Sequence, residues 1–148
     1  MKFKRSFRVS APLDEVRQFH QDSKSLAAIT PPPVVVRVRR APESLQDGAE
    51  MDFTLWLGPL PIRWVACIED VSQAGFTDRQ RRGPFSAWVH RHSFLALDDH
   101  TTEVVDEITA RLSLNPLKWI AGASMWVTLP VLFAYRAWKT RRMLERTG

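Results

Sequence analysis

Apolar and polar positions alternate along the first residues of the chain. Phe3, Arg5, Phe7 and Val9 fall on one side and Lys4, Ser6 and Arg8 on the other, which predicts a strand with one apolar face. The alternation stops at Ser10-Ala11-Pro12, where proline suits the first turn of a helix. Asp14 and Glu15 follow where the helix dipole favours negative charge. That helix is expected to reach about Asp22, with Val16 and Phe19 on its apolar side, and a second helical turn over 23–28 follows. Thr30-Pro31-Pro32-Pro33 cannot be helix interior and predicts an extended elbow. Strands are then expected near 34–40, 51–57, 62–71, 76–82, 85–97 and 103–112. Turn signals at Gln46-Asp47-Gly48, Gly58-Pro59, Ala74-Gly75, Gly83-Pro84 and Asp98-Asp99 separate them. The last element opens at Asn115-Pro116, a capping residue with proline in the first helical position, and runs to about Glu145.

From Trp119 to Tyr135 this last helix carries no charge over 17 residues, the lower limit for crossing a bilayer. Gly122, Ser124 and Thr128 weaken that signal, and the apolar strand faces upstream need a cover. A helix buried against the sheet and kinked at Pro130 is therefore favoured over a membrane span. Its outer face is too apolar to meet water all round, so the expectation is a homodimer contact, a peripheral membrane contact or cover by loops such as the proline elbow at Pro31 to Pro33.

At 148 residues the chain is one domain, 1–148, and its 45% apolar content supports a real core and argues against disorder. The net charge of +5 rests on sixteen arginines that are spread, not gathered into one stripe beside stacking aromatics. Arg37, Arg39 and Arg40, then Arg79, Arg81 and Arg82, read as solvated strand faces, and no nucleic-acid partner is expected. A further basic group of Arg136, Lys139, Arg141, Arg142 and Arg146 closes the chain. The single cysteine, Cys67, excludes internal disulfides, and no long apolar run follows the charges after Met1. Both features suit a cytoplasmic protein without a secretory signal.

The densest chemistry lies between Asp78 and Phe94. Because strand residues two apart share a face, Asp78 and Gln80 look one way, as do Trp88, His90, His92 and Phe94 on the next strand. A turn at Gly83-Pro84 sets Gln80 near Trp88, Asp78 near His90 and Phe76 near His92, while the later strand brings Asp106 beside one of the histidines. Carboxylates on both sides of a histidine pair raise the imidazole pKa and burial lowers it. Three roles fit the cluster: a mutually satisfied buried network, a polar patch that orients a ligand, or a general acid–base site using His90 or His92 with Asp106. His90-x-His92 with Asp78 or Asp106 also supplies zinc-type ligands. Two histidines two apart on a strand recur by chance, however, and no further Cys or HExxH motif supports them, so no metal and no cofactor is assigned. Trp56, Trp64 and Trp88 fall on strands that face the same interior, and together they favour a flat or ring-bearing ligand.

These residues resemble a known superfamily. Ala11-Pro12 with Glu15-Val16 and Phe19-His20, Ile29-Thr30-Pro31-Pro32, Arg63-Trp64, Phe76-x-Asp78-x-Gln80, Gly83-Pro84-Phe85, Trp88-x-His90-x-His92-x-Phe94, and Thr102 with Asp106 resemble small bacterial SRPBCC proteins of the cyclase/dehydrase-like, START-related kind. The resemblance implies an α+β helix-grip fold: a seven-stranded antiparallel curved sheet wrapped around a long C-terminal helix, with two short helices after the first strand. It also implies a cavity for a lipid, polyketide or quinone-like molecule. The expected lining is Trp64, Asp78, Gln80, Trp88, His90, His92, Phe94 and Asp106 from the sheet, with Met125 and Leu129 from the helix.

Overall fold

The computed structural model describes residues 1–145, so Arg146, counted above with the basic C-terminal group, lies outside the described residues. The chain runs β1 (Lys2–Val9), α1 (Leu13–Gln21), α2 (Ser23–Ala28), β2 (Val34–Arg40), β3 (Glu50–Leu57), β4 (Leu60–Ser72), β5 (Gly75–Arg82), β6 (Phe85–Ala96), β7 (Thr102–Leu112) and α3 (Pro116–Leu144). Every predicted element is present. The helical segment after β1 begins after Pro12, which keeps an extended backbone and offers no capping side chain. It divides at Asp22, whose carboxylate accepts from the Lys24 amide and caps α2.

All seven strands form one antiparallel sheet in the order β1-β7-β6-β5-β4-β3-β2. Consecutive hairpins build β2 to β7, and β1 returns to close on β7 with Phe3 opposite Ile108 and Phe7 opposite Val104. This is the helix-grip architecture, with the sheet curled about α3.

One stripe of α3, Gly122, Leu129, Phe133, Ala137 and Thr140, is buried against the concave face. The spacing of that stripe keeps it on a single side of a 3.6-residue helix. Gly122 permits the approach, because a Cβ there would meet Leu112 at 3.2 Å and Phe85 and the Pro84 carbonyl at 3.4 Å. Burying Leu129 and Ile108, each nearly inaccessible, contributes about 1.5–3 kcal/mol apiece. As expected, Asn115 caps α3 by accepting from the amides of Leu117 and Lys118. The helix is long and apolar enough to cross a membrane by length and composition, yet its inner stripe is packed on the sheet.

Candidate functional site

Between the concave face of the sheet, α2, the proline elbow and the inner side of α3 lies a cavity of about 490 Å³. Its lining changes character across the sheet. On the β2–β3 side it is apolar, with Leu26, Ile29, Pro31 to Pro33, Leu55, Leu57 and Val131. Val131, Pro32 and Pro33 are solvent-exposed, so the cavity reaches the surface between the elbow and α3. On the β5–β6 side the lining is Asp78, His90, His92 and Arg136. A chain of ring contacts joins the two sides: Phe53 stacks near Trp64, Trp64 meets Trp88 edge-on at 5.2 Å, and Trp88 meets His90 edge-on at 6.4 Å.

The polar side follows from strand register. Phe76 pairs with His92, Asp78 with His90, and on the other side of β6 His92 pairs with Asp106. The two imidazoles lie side by side with centroids 3.7 Å apart. His90 Nε2 donates to Asp106 Oδ1 at 2.8 Å, and His92 Nε2 donates to Asp78 Oδ2 at 2.7 Å. Two longer contacts close the ring, His90 Nδ1 to Asp78 Oδ2 at 3.6 Å and His92 Nδ1 to Asp106 Oδ1 at 3.3 Å. The last of these lacks the direction of a hydrogen bond, and His92 Nδ1 has no such partner. Gly75 sets β5 against β6 here: a Cβ at that position would run into the His92 carbonyl, so only glycine allows the strands to approach.

Burial pushes His90 down, reinforced by the charge of His92, and its ring is neutral near pH 7. Burial acts on His92 in the same direction, but the contacts with the Asp106 and Asp78 carboxylates outweigh it and raise its pKa to about 9. Burial alone would raise both carboxylates, and their histidine partners instead hold Asp78 and Asp106 below the ordinary range. Arg136 completes the group. Its Nε is buried without a hydrogen-bond partner among the described residues, and its guanidinium lies 5.1 Å from the Phe133 ring centre. Burial and the two aspartates pull its pKa in opposite directions, and arginine stays charged in either case.

Of the expected lining residues, Trp64, Asp78, Trp88, His90, His92, Met125 and Leu129 border the cavity. Asp106 lies behind the histidines instead. Gln80 turns to the hairpin, where its amide donates to the Phe85 carbonyl and accepts from the Phe85 amide, and Phe94 packs in the core beside His20. Trp56 corrects the reading that put three strand tryptophans inside. Phe53 pairs with Trp64 and Trp56 with Pro61, so Trp56 falls on the opposite face from Phe53, Leu55 and Leu57.

Two lining residues that the sequence analysis missed bear on the polar side. Arg136 was counted with the basic tail, although it stands seven residues after Leu129 and three after Phe133, on the inner face of α3. His20 stands four residues after Val16 on the buried side of α1; its ring bonds the Val16 carbonyl, and burial lowers its pKa to about 4.

No family model matches the chain, and no curated protein matches it. Solved structures do. The aromatase/cyclase Zhui of a Streptomyces species superposes with a TM-score of 0.75 at 17% identity, over 99% of this chain and 94% of that one. A START superfamily protein from Mycobacterium smegmatis gives 0.69 at 12% identity over 99% of both chains. A nucleoside-diphosphate sugar epimerase from Corynebacterium glutamicum gives 0.70 at 25% identity, covering 97% of this chain but 29% of that one. The chain therefore has the START-like helix-grip fold that these proteins share.

Proposed function

We propose that the protein binds a hydrophobic or amphipathic small molecule, lipid, polyketide or quinone-like, in its internal cavity. One observation carries this reading: a cavity of about 490 Å³, within the usual range for ligand sites, has a mostly apolar wall and gathers Asp78, His90, His92 and Arg136 on one side. A ligand would place its apolar body against Leu55, Leu57 and Trp64 and one oxygen function against Asp78 and Arg136. All four imidazole nitrogens turn toward carboxylates. That favours orientation of a ligand over general-base attack by a histidine. Native mass spectrometry of protein purified from its own host is expected to show a retained small molecule. Leu129→Trp, which fills the cavity from α3, is expected to abolish its retention. A folded wild type that arrives empty and takes up no apolar probe overturns the reading.

A second reading, a cyclase or dehydratase-type enzyme using His90 or His92 with Asp106, is favoured by Arg136. Oxyanion or enolate chemistry needs a buried donor at the reacting oxygen, and the unpartnered Nε supplies one beside the histidines.

The outer face of α3 supports a partner as well. Leu117, Ile120, Ser124, Val127, Val131, Ala134 and Trp138 are all exposed and recur at alternating steps of three and four residues. That is the seam of a helix pair, which fits a second copy of this chain better than a bilayer plane. Sedimentation is expected to show a dimer that Val127→Glu with Val131→Glu dissociates. A monomer that binds anionic vesicles would assign the face to lipid instead.

A further inference from the structure

We propose that Asp78, His90 and His92 form a site for one divalent first-row metal ion, Zn²⁺ being the type case, on the polar side of the cavity. The three residues offer ligand atoms within 4.8 Å of one another. Proximity alone would be weak evidence; the orientation of the rings is more specific. His90 Nδ1 and His92 Nε2 both turn to Asp78 Oδ2, at 3.6 and 2.7 Å. The opposite nitrogens, His90 Nε2 and His92 Nδ1, both turn to Asp106 Oδ1, at 2.8 and 3.3 Å. Asp78 borders the cavity and Asp106 does not. Histidines that bind metal use one nitrogen for the ion and donate the other N–H to a carboxylate behind it, which fixes tautomer and ring orientation. Asp106 stands in that position for His90, and it lies 3.3 Å behind His92 Nδ1 as a charge contact without the direction of a hydrogen bond.

The polarity of the front edge points the same way. His90 donates to Asp106 from Nε2, so its neutral ring leaves Nδ1 as an acceptor. Facing it across 3.6 Å is Asp78 Oδ2, a second acceptor. Two acceptors so placed repel each other unless a cation lies between them. Their separation is close to the edge, about 3.3 Å, of a tetrahedron with ~2.05 Å bonds. On the His92 side a proton holds the pair at 2.7 Å, and an ion that displaces this proton would open the pair by about half an ångström.

Two nitrogens and one carboxylate oxygen, with the remaining positions turned to the cavity, suit Zn²⁺, Fe²⁺ or Co²⁺ better than Mg²⁺ or Ca²⁺. The charged groups facing the site are Asp78, Asp106 and Arg136, and His20 of α1 is a further titratable group on the cavity wall. With both imidazoles neutral, as metal ligands must be, two carboxylates against one guanidinium leave the cluster one net negative charge. A divalent ion reverses that sign, so its free positions would take a hydroxide or an anionic oxygen of the cavity ligand. The site does not depend on the organic ligand, so failure of either proposal leaves the other standing.

The test uses untagged full-length protein stripped with a chelator and then titrated with Zn²⁺ by calorimetry and with Co²⁺ by visible absorption. The expected result is one ion per chain with Kd at or below about 1 µM, and Co²⁺ bands of a four- or five-coordinate site. His90→Gln and His92→Gln are each expected to weaken binding at least ~100-fold, and Asp106→Asn roughly 10- to 100-fold. The exposed His100→Ala should change nothing. If a variant fails to fold, the wild type still decides, because excess Zn²⁺ is expected to raise its melting temperature by several degrees. Folded wild type with no saturable Zn²⁺ or Co²⁺ binding up to ~100 µM overturns the proposal, as does binding that survives in a folded His90→Gln, His92→Gln double variant.

Discussion

The two sides of the cavity are built on the same sheet, yet different physics holds them together. The β2–β3 side is held by apolar contact among half-buried side chains that border an opening, so each residue contributes little and substitutions can be absorbed by small shifts. The β5–β7 side is a closed ring of four charged or polar groups removed from water, where each member is the partner of two others. Tolerance on one side and interdependence on the other make the cavity adaptable in shape and fixed in polarity.

The sharpest way to break this contrast is Asp106→Ala. It leaves the His90 donor without its acceptor and a protonated His92 without one of its two countercharges, and it is expected to cost about 3–5 kcal/mol in urea unfolding. A loss below 1 kcal/mol would mean that the ring is not a stabilising unit. Next comes Leu129→Ala on the inner stripe of α3, 2% exposed, expected to cost about 2–4 kcal/mol.

Acidity probes the contrast from another direction, in chelator-treated protein. His92 has a folded pKa near 9 against 6.5 unperturbed, so it stabilises the fold fully below pH 6.5 and the contribution is lost as pH rises from about 6.5 to 9. His20, lowered from 6.5 to about 4, acts oppositely: the fold keeps its full stability above pH 6.5 and loses it as pH falls toward 4. Asp78 and Asp106, also lowered, add to the acid loss. Urea midpoints are expected to peak near pH 6.5 and to fall on each side by the equivalent of roughly 2–3 kcal/mol. His92→Gln should flatten the alkaline limb and also make the acid limb shallower, because its charge helps to lower His20, His90 and both aspartates; an alkaline limb that persists in that variant would assign it elsewhere. The smallest effect belongs to the opening, where Leu55→Ala is expected to cost about 1 kcal/mol while changing ligand uptake more than stability.

How much of this was legible in the sequence depended on periodicity. Strand alternation and the Gly83-Pro84 turn were enough to pair Asp78 with His90 and Phe76 with His92, because register follows from turn position. Trp56 was counted with the interior tryptophans against the alternation of its own strand, which puts it on the face opposite Phe53, Leu55 and Leu57. Gln80 has the right parity for the cavity, but its side chain is captured by Phe85 across the turn, a local competition that a face assignment ignores. Arg136 was masked by the charges that follow it. In a helix a single cation among apolar residues belongs to whichever face its period gives it, and that period was readable from Leu129 and Phe133.

The ring contacts from Phe53 through Trp64 and Trp88 to His90 give the protein a built-in optical reporter. Two indoles lie inside the cavity, and Trp88 stands next to the imidazole pair. A protonated imidazole quenches excited indole through electron withdrawal, whereas a neutral one does so weakly. The emission of Trp88 therefore registers the charge state of the polar cluster, and anything that displaces the His92 proton brightens it. Trp119 and Trp138, half exposed on the outer face of α3, emit at longer wavelength and supply a reference signal in the same spectrum.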